Sequence, residues 1–377
     1  MPSWIRPLIW PLIFASLAAV LFSARIQREM ADFTVYRTAA IRASSAEPLY
    51  RVTDGHYQFK YLPTFAIALA PVGWFDLEAS KAIWFALSAG LLTAFVRWSV
   101  RALPERRRTE RALLWLTVLL MAKFYAHELT LGQTNIILGV LLVGALLAVQ
   151  IDQPIVAGVL VGAAAFVKPY ALLLLPWLAI THGMAAATAS VLVVLVGLIL
   201  PALRYGWLSN LALLDSWYRT VTVSTPANLL NADNISVAAM WAKWLDPGRV
   251  ASVLAVTTGV VLVAVAIAAW MRRRQVESPD YLDVAMLMLL IPLLSPQGWD
   301  YVLLLGTPAI ICLVDRFPEI RLQWRVVFGA AIVLMCLTIF DVMGRSLYGR
   351  FMALSIVSVA ALTIFAALVH LRWKKLA

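Results

Sequence analysis

The sequence predicts an all-α polytopic membrane protein with about 12 transmembrane helices. Hydrophobic residues make up 62% of the 377 residues and charged residues only 14%, whereas soluble proteins average roughly 45–50% and about 25%. A transmembrane helix needs about 20 apolar residues, so the chain is long enough for about ten or more of them. This composition excludes a protein built from soluble domains.

Apolar runs recur along the whole chain, and polar segments separate them. We predict one transmembrane helix for each of these runs: residues 8–24, 79–98, 112–125, 135–149, 155–167, 169–181, 185–203, 250–270, 282–294, 301–314, 326–340 and 351–371.

The run at 8–24 resembles a signal peptide, but its end makes a poor small-x-small cleavage site, so we interpret it as a retained first helix. Residues 62–75 contain Pro63 and Pro71 and are interpreted as a re-entrant or interfacial segment.

The positions of the basic residues predict the orientation. The basic segments that fall on one side, if the predicted helices alternate, are 106–108, 272–274, 316–325 and 372–375. Short cytoplasmic loops are rich in Lys and Arg, so we expect this side and both termini to be cytoplasmic. Two long loops, about residues 25–61 and 204–249, are then extracytoplasmic. We interpret residues 1–377 as one integral domain of the cell (inner) membrane.

The formal charge of +11 does not indicate nucleic-acid binding. The basic residues stand between apolar runs, where anionic membrane lipids and loop orientation explain them. Cys312 and Cys336 both lie inside apolar runs and are predicted to be small buried residues. The sequence contains neither a phosphate-binding loop nor a His-Glu-x-x-His zinc motif, so we expect no cofactor and no metal.

The first external loop carries an acid that is a candidate for chemistry. Asp32 follows the first apolar run, so its carboxylate is expected near the membrane surface. A carboxylate there can act as a general base on an alcohol if burial and neighbours tune its pKa, whereas a helix cap or a surface acid is the alternative. Tyr36, Lys60 and Tyr61 belong to the same loop.

Further polar residues fall at the outer ends of predicted helices and in the second external loop. Lys168 precedes a helix-breaking proline, and a lysine in such an apolar stretch must either reach the surface or meet an anion. Amide side chains are good partners for hydroxyl groups, but they are also common in turns. The remaining candidates are Gln133, Asn135, Arg219, Asn234, Trp299 and Asp300. Their convergence on the outer face favours a site for a phosphate-bearing or hydroxyl-rich ligand, with simple solvated charge as the alternative.

The order of these motifs resembles that of glycosyltransferase family 87. The resemblance covers about residues 25–310 and rests on Asp32 after the first helix, Tyr61-Leu62-Pro63, Gly132-Gln133-x-Asn135, Lys168-Pro169 and Ser295-Pro-x-x-Trp299. The family belongs to the membrane-embedded glycosyltransferase C superfamily. It includes polyprenol-phosphate-mannose-dependent α-1,2-mannosyltransferases. The resemblance therefore implies the glycosyltransferase C fold, with an active site in the extracytoplasmic loops.

The resemblance also implies roles for the candidate residues. Asp32 would be the catalytic base. The donor phosphate would lie near Lys60, Tyr61, Lys168 and Arg219. The sugar or the acceptor would contact Tyr36, Gln133, Asn135, Asn234, Trp299 and Asp300. The implied partners are a polyprenyl-phosphate sugar donor, with mannose as the expected sugar, and a lipid or glycan acceptor.

The chemistry of such a donor is consistent with these residues. A phosphate monoester leaves without a general acid, so the reaction requires positive charge near the phosphate and one base for the incoming hydroxyl. Direct displacement opposite the phosphate inverts the anomeric centre. The alternative function is a flippase or transporter of lipid-linked sugars, which would tolerate a neutral isostere of Asp32.

Overall fold

The computed structural model describes residues 16 and 18–376 and builds them mainly from α-helices. The predicted helix at 8–24 therefore lies largely outside the described residues. The described α-helices of six or more residues are α1 Ala31–Ser44, α2 Pro63–Ala68, α3 Leu77–Ala102, α4 Glu110–Leu131, α5 Asn135–Gln150, α6 Pro154–Val167, α7 Leu175–His182, α8 Met184–Ile199, α9 Trp207–Ala227, α10 Val237–Leu245, α11 Arg249–Met271, α12 Asp280–Leu294, α13 Thr307–Arg316, α14 Leu322–Ile332, α15 Phe340–Ala353 and α16 Ile356–Trp373.

The prediction of a helical membrane protein is confirmed, but the count of about 12 spans is not. Within the described residues, 6 helical segments are long and apolar enough to cross a membrane: Leu77–Ala102, Glu110–Leu131, Met184–Tyr205, Arg249–Gln275, Asp300–Glu319 and Ile356–Trp373. A further candidate joins Leu322–Leu337 to Phe340–Ala353 and is bent by 104°. Three other predicted spans correspond to apolar helices of 10–17 residues, which are short for a hydrocarbon core of about 30 Å.

The segments predicted as long external loops contain helices. The first holds α1, and the second holds α9 and α10. Polar and apolar residues are mixed in α1 and α9, so neither stands out as an apolar run. Residues 62–75 form α2 and the 3-10 turn Ala70–Trp74, both too short to cross a membrane.

Two buried charged side chains join the helices at the side that we expect to be cytoplasmic. The buried carboxylate of Asp315 accepts hydrogen bonds from the backbone N–H groups of Arg107 and Arg108, at 2.9–3.0 Å. The buried guanidinium of Arg372 donates to Asp283 at 2.9 Å. The first contact joins the loop at 106–108 to the end of α13, and the second joins the end of α16 to the start of α12.

Close backbone packing joins α6 to α8. A Cβ atom added at Gly158 would lie 2.0 Å from the carbonyl oxygen of Ala186, and one at Gly162 would lie 2.6 Å from that of Ser190. The two glycines are four residues apart and share one helix face, as in other tight contacts between membrane helices. This contact fixes α6, at whose end Lys168 lies.

We expect Gly158→Ala to lower the thermal stability of the detergent-solubilised protein. The added methyl group meets backbone that cannot move away easily, and overpacking typically costs about 1–3 kcal/mol. Gly90→Ala is the matched control, because nothing lies within 4 Å of a Cβ at that helical glycine. Thermal unfolding should show a lower midpoint for Gly158→Ala alone. Equal midpoints for the two variants would contradict this packing.

Candidate active site

The start of α1 is held against the connection between α4 and α5. Gly132 ends α4 in the left-handed conformation, with φ +69°, and a Cβ there would lie 2.7 Å from the Cβ of Phe33. The indole of Trp84 donates a hydrogen bond to the Gly132 carbonyl at 2.9 Å. Only a residue without a side chain allows this approach, which brings Asp32 next to Gln133.

The side chain of Gln133 is the centre of a polar cluster. Its amide nitrogen donates to the Asp32 carboxylate at 2.7 Å and to the Tyr301 hydroxyl at 3.2 Å. Its amide oxygen accepts from the Tyr36 hydroxyl at 2.8 Å. The amide thus has partners on both its nitrogen and its oxygen, which fixes the orientation of the Asp32 carboxylate.

Tyr61 extends this cluster and closes one side of it. Its hydroxyl lies 2.9 Å from that of Tyr36 and accepts a hydrogen bond from Thr134 at 3.1 Å. Its ring stacks on Phe65 with the centroids 4.9 Å apart. The Tyr50 hydroxyl donates to the Tyr61 carbonyl at 2.7 Å. The segment that carries Tyr50 and Tyr61 is therefore fixed beside Asp32.

The groups around Asp32 oppose the effect of burial on its carboxylate. Burial raises the pKa of Asp32, while the hydrogen bond from Gln133 and the positive charge of Lys60 oppose that rise. Burial lowers the pKa of Lys60, and the Asp32 carboxylate opposes this change. A half-buried carboxylate is a stronger base than one in water, provided that a neighbouring cation and a donor keep it charged.

A second acid, Glu128, lies in the same region and was not predicted from the sequence. It is completely buried near the end of α4 and accepts from the Asn135 side chain at 2.8 Å and from the Ile136 backbone N–H at 3.0 Å. The available signal was an acid in the last turn of a mostly apolar helix, since such residues are costly and often functional. Asn135, a predicted sugar contact, thus binds Glu128 in this structure.

Lys168 provides positive charge near both acids. It follows α6 directly, and its ammonium interacts electrostatically with Glu128 and Asp32. Among residues 16 and 18–376, no carboxylate approaches this ammonium within 4.0 Å. Because Lys168 has no direct ion-pair partner among these residues, its ammonium can bind an anionic ligand.

Asn234, Trp299 and Asp300 form the side of the candidate site next to the Gln133 cluster. The backbones of Asn234 and Trp299 pair in an isolated antiparallel bridge, and the Asn234 amide donates to the Pro296 carbonyl at 2.9 Å. The buried Asp300 carboxylate lies 3.4 Å from the imidazole of His127. Within the described chain, the contacts of Asn234 thus join the segment between α9 and α10 to the turn before Asp300.

Arg219 is the predicted site residue that lies apart from this cluster. Its guanidinium pairs with Asp215 one turn earlier on α9 at 2.8 Å, and 76% of its side chain is exposed. The same helix does reach the site, because the Trp217 indole donates to the Lys60 carbonyl at 3.1 Å. A role for Arg219 in phosphate binding stays a prediction.

An apolar groove of about 520 Å³ ends beside the cluster. It lies between α2, α5, α6 and α8, and its lining includes Phe65 and Val167. Phe65 stacks on Tyr61, and Val167 precedes Lys168 in the chain. Two lining residues of the groove are thus immediate neighbours of Tyr61 and Lys168. Within the described part of the chain, no group of three or more His, Cys, Asp or Glu residues could hold a metal ion.

Comparison with known families identifies the chain. The model of glycosyltransferase family 87 matches residues 59–296, which is more than half of the sequence. The chain belongs to glycosyltransferase family 87. It is therefore a membrane glycosyltransferase, and the matched region includes Lys60, Gln133 and Lys168, whereas Asp32 precedes it. No curated protein and no solved structure gives a significant match.

We expect Gln133→Met to shift the acid limb of the pH–rate profile for sugar transfer to higher pH. The variant removes the hydrogen bond that lowers the pKa of Asp32, so burial raises that pKa further. A base with a raised pKa is protonated, and inactive, at higher pH than in the wild type. The measurement is kcat/KM against pH.

The matched control is Gln150→Met. Gln150 lies at the other end of α5 and donates to the Ala102 carbonyl at 2.8 Å. Its removal should leave the acid limb in place. A uniform loss of rate in Gln133→Met, with no movement of that limb, would show that Gln133 does not set the ionisation of Asp32.

Proposed function

We propose that this glycosyltransferase moves a sugar, with mannose as the expected one, from a polyprenyl-phosphate donor to an acceptor hydroxyl. The reaction takes place at the extracytoplasmic face of the cell membrane and inverts the anomeric centre. The observation that carries the proposal is the Asp32 carboxylate, which accepts from Gln133 at 2.7 Å and has Lys60 and Lys168 as nearby positive charges.

Asp32 is the base in this proposal. The acceptor hydroxyl gives its proton to the Asp32 carboxylate as the bond from its oxygen to the anomeric carbon forms. The bond from the anomeric carbon to the phosphate oxygen breaks on the opposite side, and polyprenyl phosphate leaves. Because a phosphate monoester is already a stable anion, this step needs no general acid, and one carboxylate is sufficient.

The donor occupies the apolar groove. An isoprenoid chain is apolar, as is the lining of the space between α2, α5, α6 and α8. In this proposal its phosphate lies near Lys168 and Tyr61, which adjoin the lining residues Val167 and Phe65. An ammonium placed where negative charge develops stabilises the transition state more than the ground state. Membership of a transferase family favours this proposal over a flippase without transferase activity.

We expect Asp32→Asn to reduce turnover by about 10²–10⁴, the range typical of a lost general base. Asparagine preserves the size of the side chain but cannot take the proton, so donor binding and the fold should persist. Glu29→Gln is the control, because Glu29 lies three residues earlier on the exposed surface, with 46% of its side chain accessible. Product formation and donor binding are measured on the same purified samples. Turnover of Asp32→Asn above about half of the wild-type value would refute the base assignment.

We expect Lys168→Met to weaken donor binding and turnover, and Lys168→Arg to retain more of both. Methionine preserves the length and apolar stem of the side chain but removes the charge, whereas arginine keeps the charge. Lys374→Met, at the opposite end of the protein, is the control. The KM for the donor and thermal unfolding are measured for each variant. If folded Lys168→Met had wild-type kinetics, the lysine would merely extend its ammonium to the membrane surface.

A further inference from the structure

The helix α15 connects two apolar helices, α14 and α16, and turns across their ends. The ring of Trp324 near the start of α14 contacts that of His370 near the end of α16, with the centroids 5.5 Å apart. Because α14 starts beside the end of α16, the α15 helix between them lies near their far ends. The bend of 104° between Leu322–Leu337 and α15 directs this helix across the bundle instead of along it.

The helix α15 lies on the side of the protein that carries Asp300. The Trp244 indole donates a hydrogen bond to the carbonyl of Leu354, the residue that follows α15, at 3.1 Å. Tyr348 on α15 is half-buried, and the carboxylates of Asp300 and Asp233 interact electrostatically with it. Since α16 ends in a basic segment that we expect to be cytoplasmic, α15 belongs to the extracytoplasmic side.

An ammonium group holds the bend before α15. After α14 the chain forms a π-helical turn, Val333–Leu337, and then leaves the helical conformation at Thr338. The Lys123 ammonium of α4 donates hydrogen bonds to the carbonyls of Met335 at 2.9 Å and Thr338 at 3.2 Å. Carbonyl groups at a helix break are costly in a membrane unless another donor satisfies them. The Lys123 side chain therefore stabilises the direction in which α15 leaves α14.

The exposed surface of α15 combines apolar and basic side chains. Leu347, Arg350 and Leu354 are three and four residues apart, so they share one face of the helix. The two leucines are 57% and 60% exposed, whereas Phe351 is buried. The face with Leu347 therefore points away from the protein. Arg350 and Arg345 are both exposed as well.

The two arginines of α15 are free to bind an anion. Among residues 16 and 18–376, no carboxylate lies within 4.0 Å of Arg345 or Arg350. A helix that exposes both apolar side chains and arginines is typical of helices that lie in the plane of the membrane interface. The guanidinium of arginine binds phosphate oxygens in a two-pronged geometry, and its long apolar stem can reach from the acyl boundary to the headgroups.

We propose that α15 lies in the extracytoplasmic interface of the bilayer, where Arg345 and Arg350 bind the phosphate groups of anionic phospholipids. The exposed leucines of the helix enter the boundary of the acyl chains. The ligand is a phospholipid of the bilayer and not the sugar donor, because the face that carries Arg350 points away from the protein. This binding does not depend on which donor or acceptor the enzyme uses.

The depth of nitroxide labels in the bilayer tests the orientation of α15. Labels are attached to the single variants Leu347→Cys and Leu354→Cys in lipid nanodiscs, after thermal unfolding has confirmed that each variant is folded. Both positions follow the break at Gly344, so one helical stretch connects them. The native Cys312 and Cys336 are buried, and the wild type measures any labelling of them.

The matched control is the pair Val253→Cys and Val260→Cys. These valines are also seven residues apart and are 58% and 62% exposed on α11, which is long and apolar enough to cross the membrane. Their labels should differ in depth by about 10 Å, because an α-helix rises 1.5 Å per residue. The labels at positions 347 and 354 should have the same depth. A difference like that of the control, or labels that lie in bulk water, would overturn the proposed orientation.

A photo-crosslinker beside the arginines identifies the bound lipid. A benzophenone is attached to Leu347→Cys in nanodiscs with equal amounts of phosphatidylglycerol and phosphatidylcholine, and mass spectrometry identifies the captured lipid. Phosphatidylglycerol should exceed phosphatidylcholine in the adduct by about fivefold or more, the preference expected of even one basic residue at a charged surface. The preference should disappear when Arg345→Gln and Arg350→Gln are combined. It should persist when Arg345→Lys and Arg350→Lys are combined, since lysine keeps the charge.

Two controls separate this site from other basic groups and from the donor. Arg111→Gln removes an exposed cation at the start of α4, on the side that we expect to be cytoplasmic, and should leave the preference unchanged. Added polyprenyl phosphate should not displace phosphatidylglycerol from the adduct. If polyprenyl phosphate became the captured lipid, the arginines would bind the donor and the assignment to phospholipid would fail. Equal capture of the two phospholipids with both arginines present would also overturn it.

Discussion

The hydrogen bonds of the Gln133 side chain are the contacts on which the candidate active site depends. They join the carboxylate of Asp32 to the hydroxyls of Tyr36 and Tyr301. Three parts of the chain thus meet at one amide: the start of α1, the connection between α4 and α5, and the turn before α13. A buried amide without partners costs free energy, so each of these parts stabilises the position of the others.

Loss of water around Asp32 explains why its carboxylate needs a nearby hydrogen-bond donor and a nearby positive charge. A carboxylate that loses water takes up a proton more readily, because the loss of water disfavours its charged form. The amide of Gln133 and the charge of Lys60 oppose that tendency in Asp32. A small polar site can therefore exist beside the apolar groove.

The sequence predicted the parts of the fold that depend on local composition. Long apolar runs identified helices such as α3 and α11, since lipid requires about 20 apolar residues in one helix. The same reasoning gave a count of about 12 spans that the structure does not confirm, because α5 and α6 are apolar but short. It also overlooked helix formation in α1 and α9, where polar residues interrupt the apolar pattern.

The candidate site shows a similar division. Motif order singled out Asp32, Tyr61 and Gln133, and Tyr36 was a candidate from the same loop as Asp32. The structure brings these four side chains together. Tyr301 was not predicted, because it lies 168 residues from Gln133 in the chain and only the packed fold makes them neighbours. Arg219 was expected near the donor phosphate, and in the structure it lies on an exposed face of α9.

Identification of the released product tests the central claim most directly. Purified protein is incubated with a set of polyprenyl-phosphate sugars and a mannoside acceptor, and the lipid product and the new glycosidic bond are analysed by mass spectrometry and NMR. The account predicts one polyprenyl monophosphate for each transferred sugar, with the anomeric configuration inverted. Transfer from a nucleotide sugar in place of the lipid donor, or retention of configuration, would contradict it.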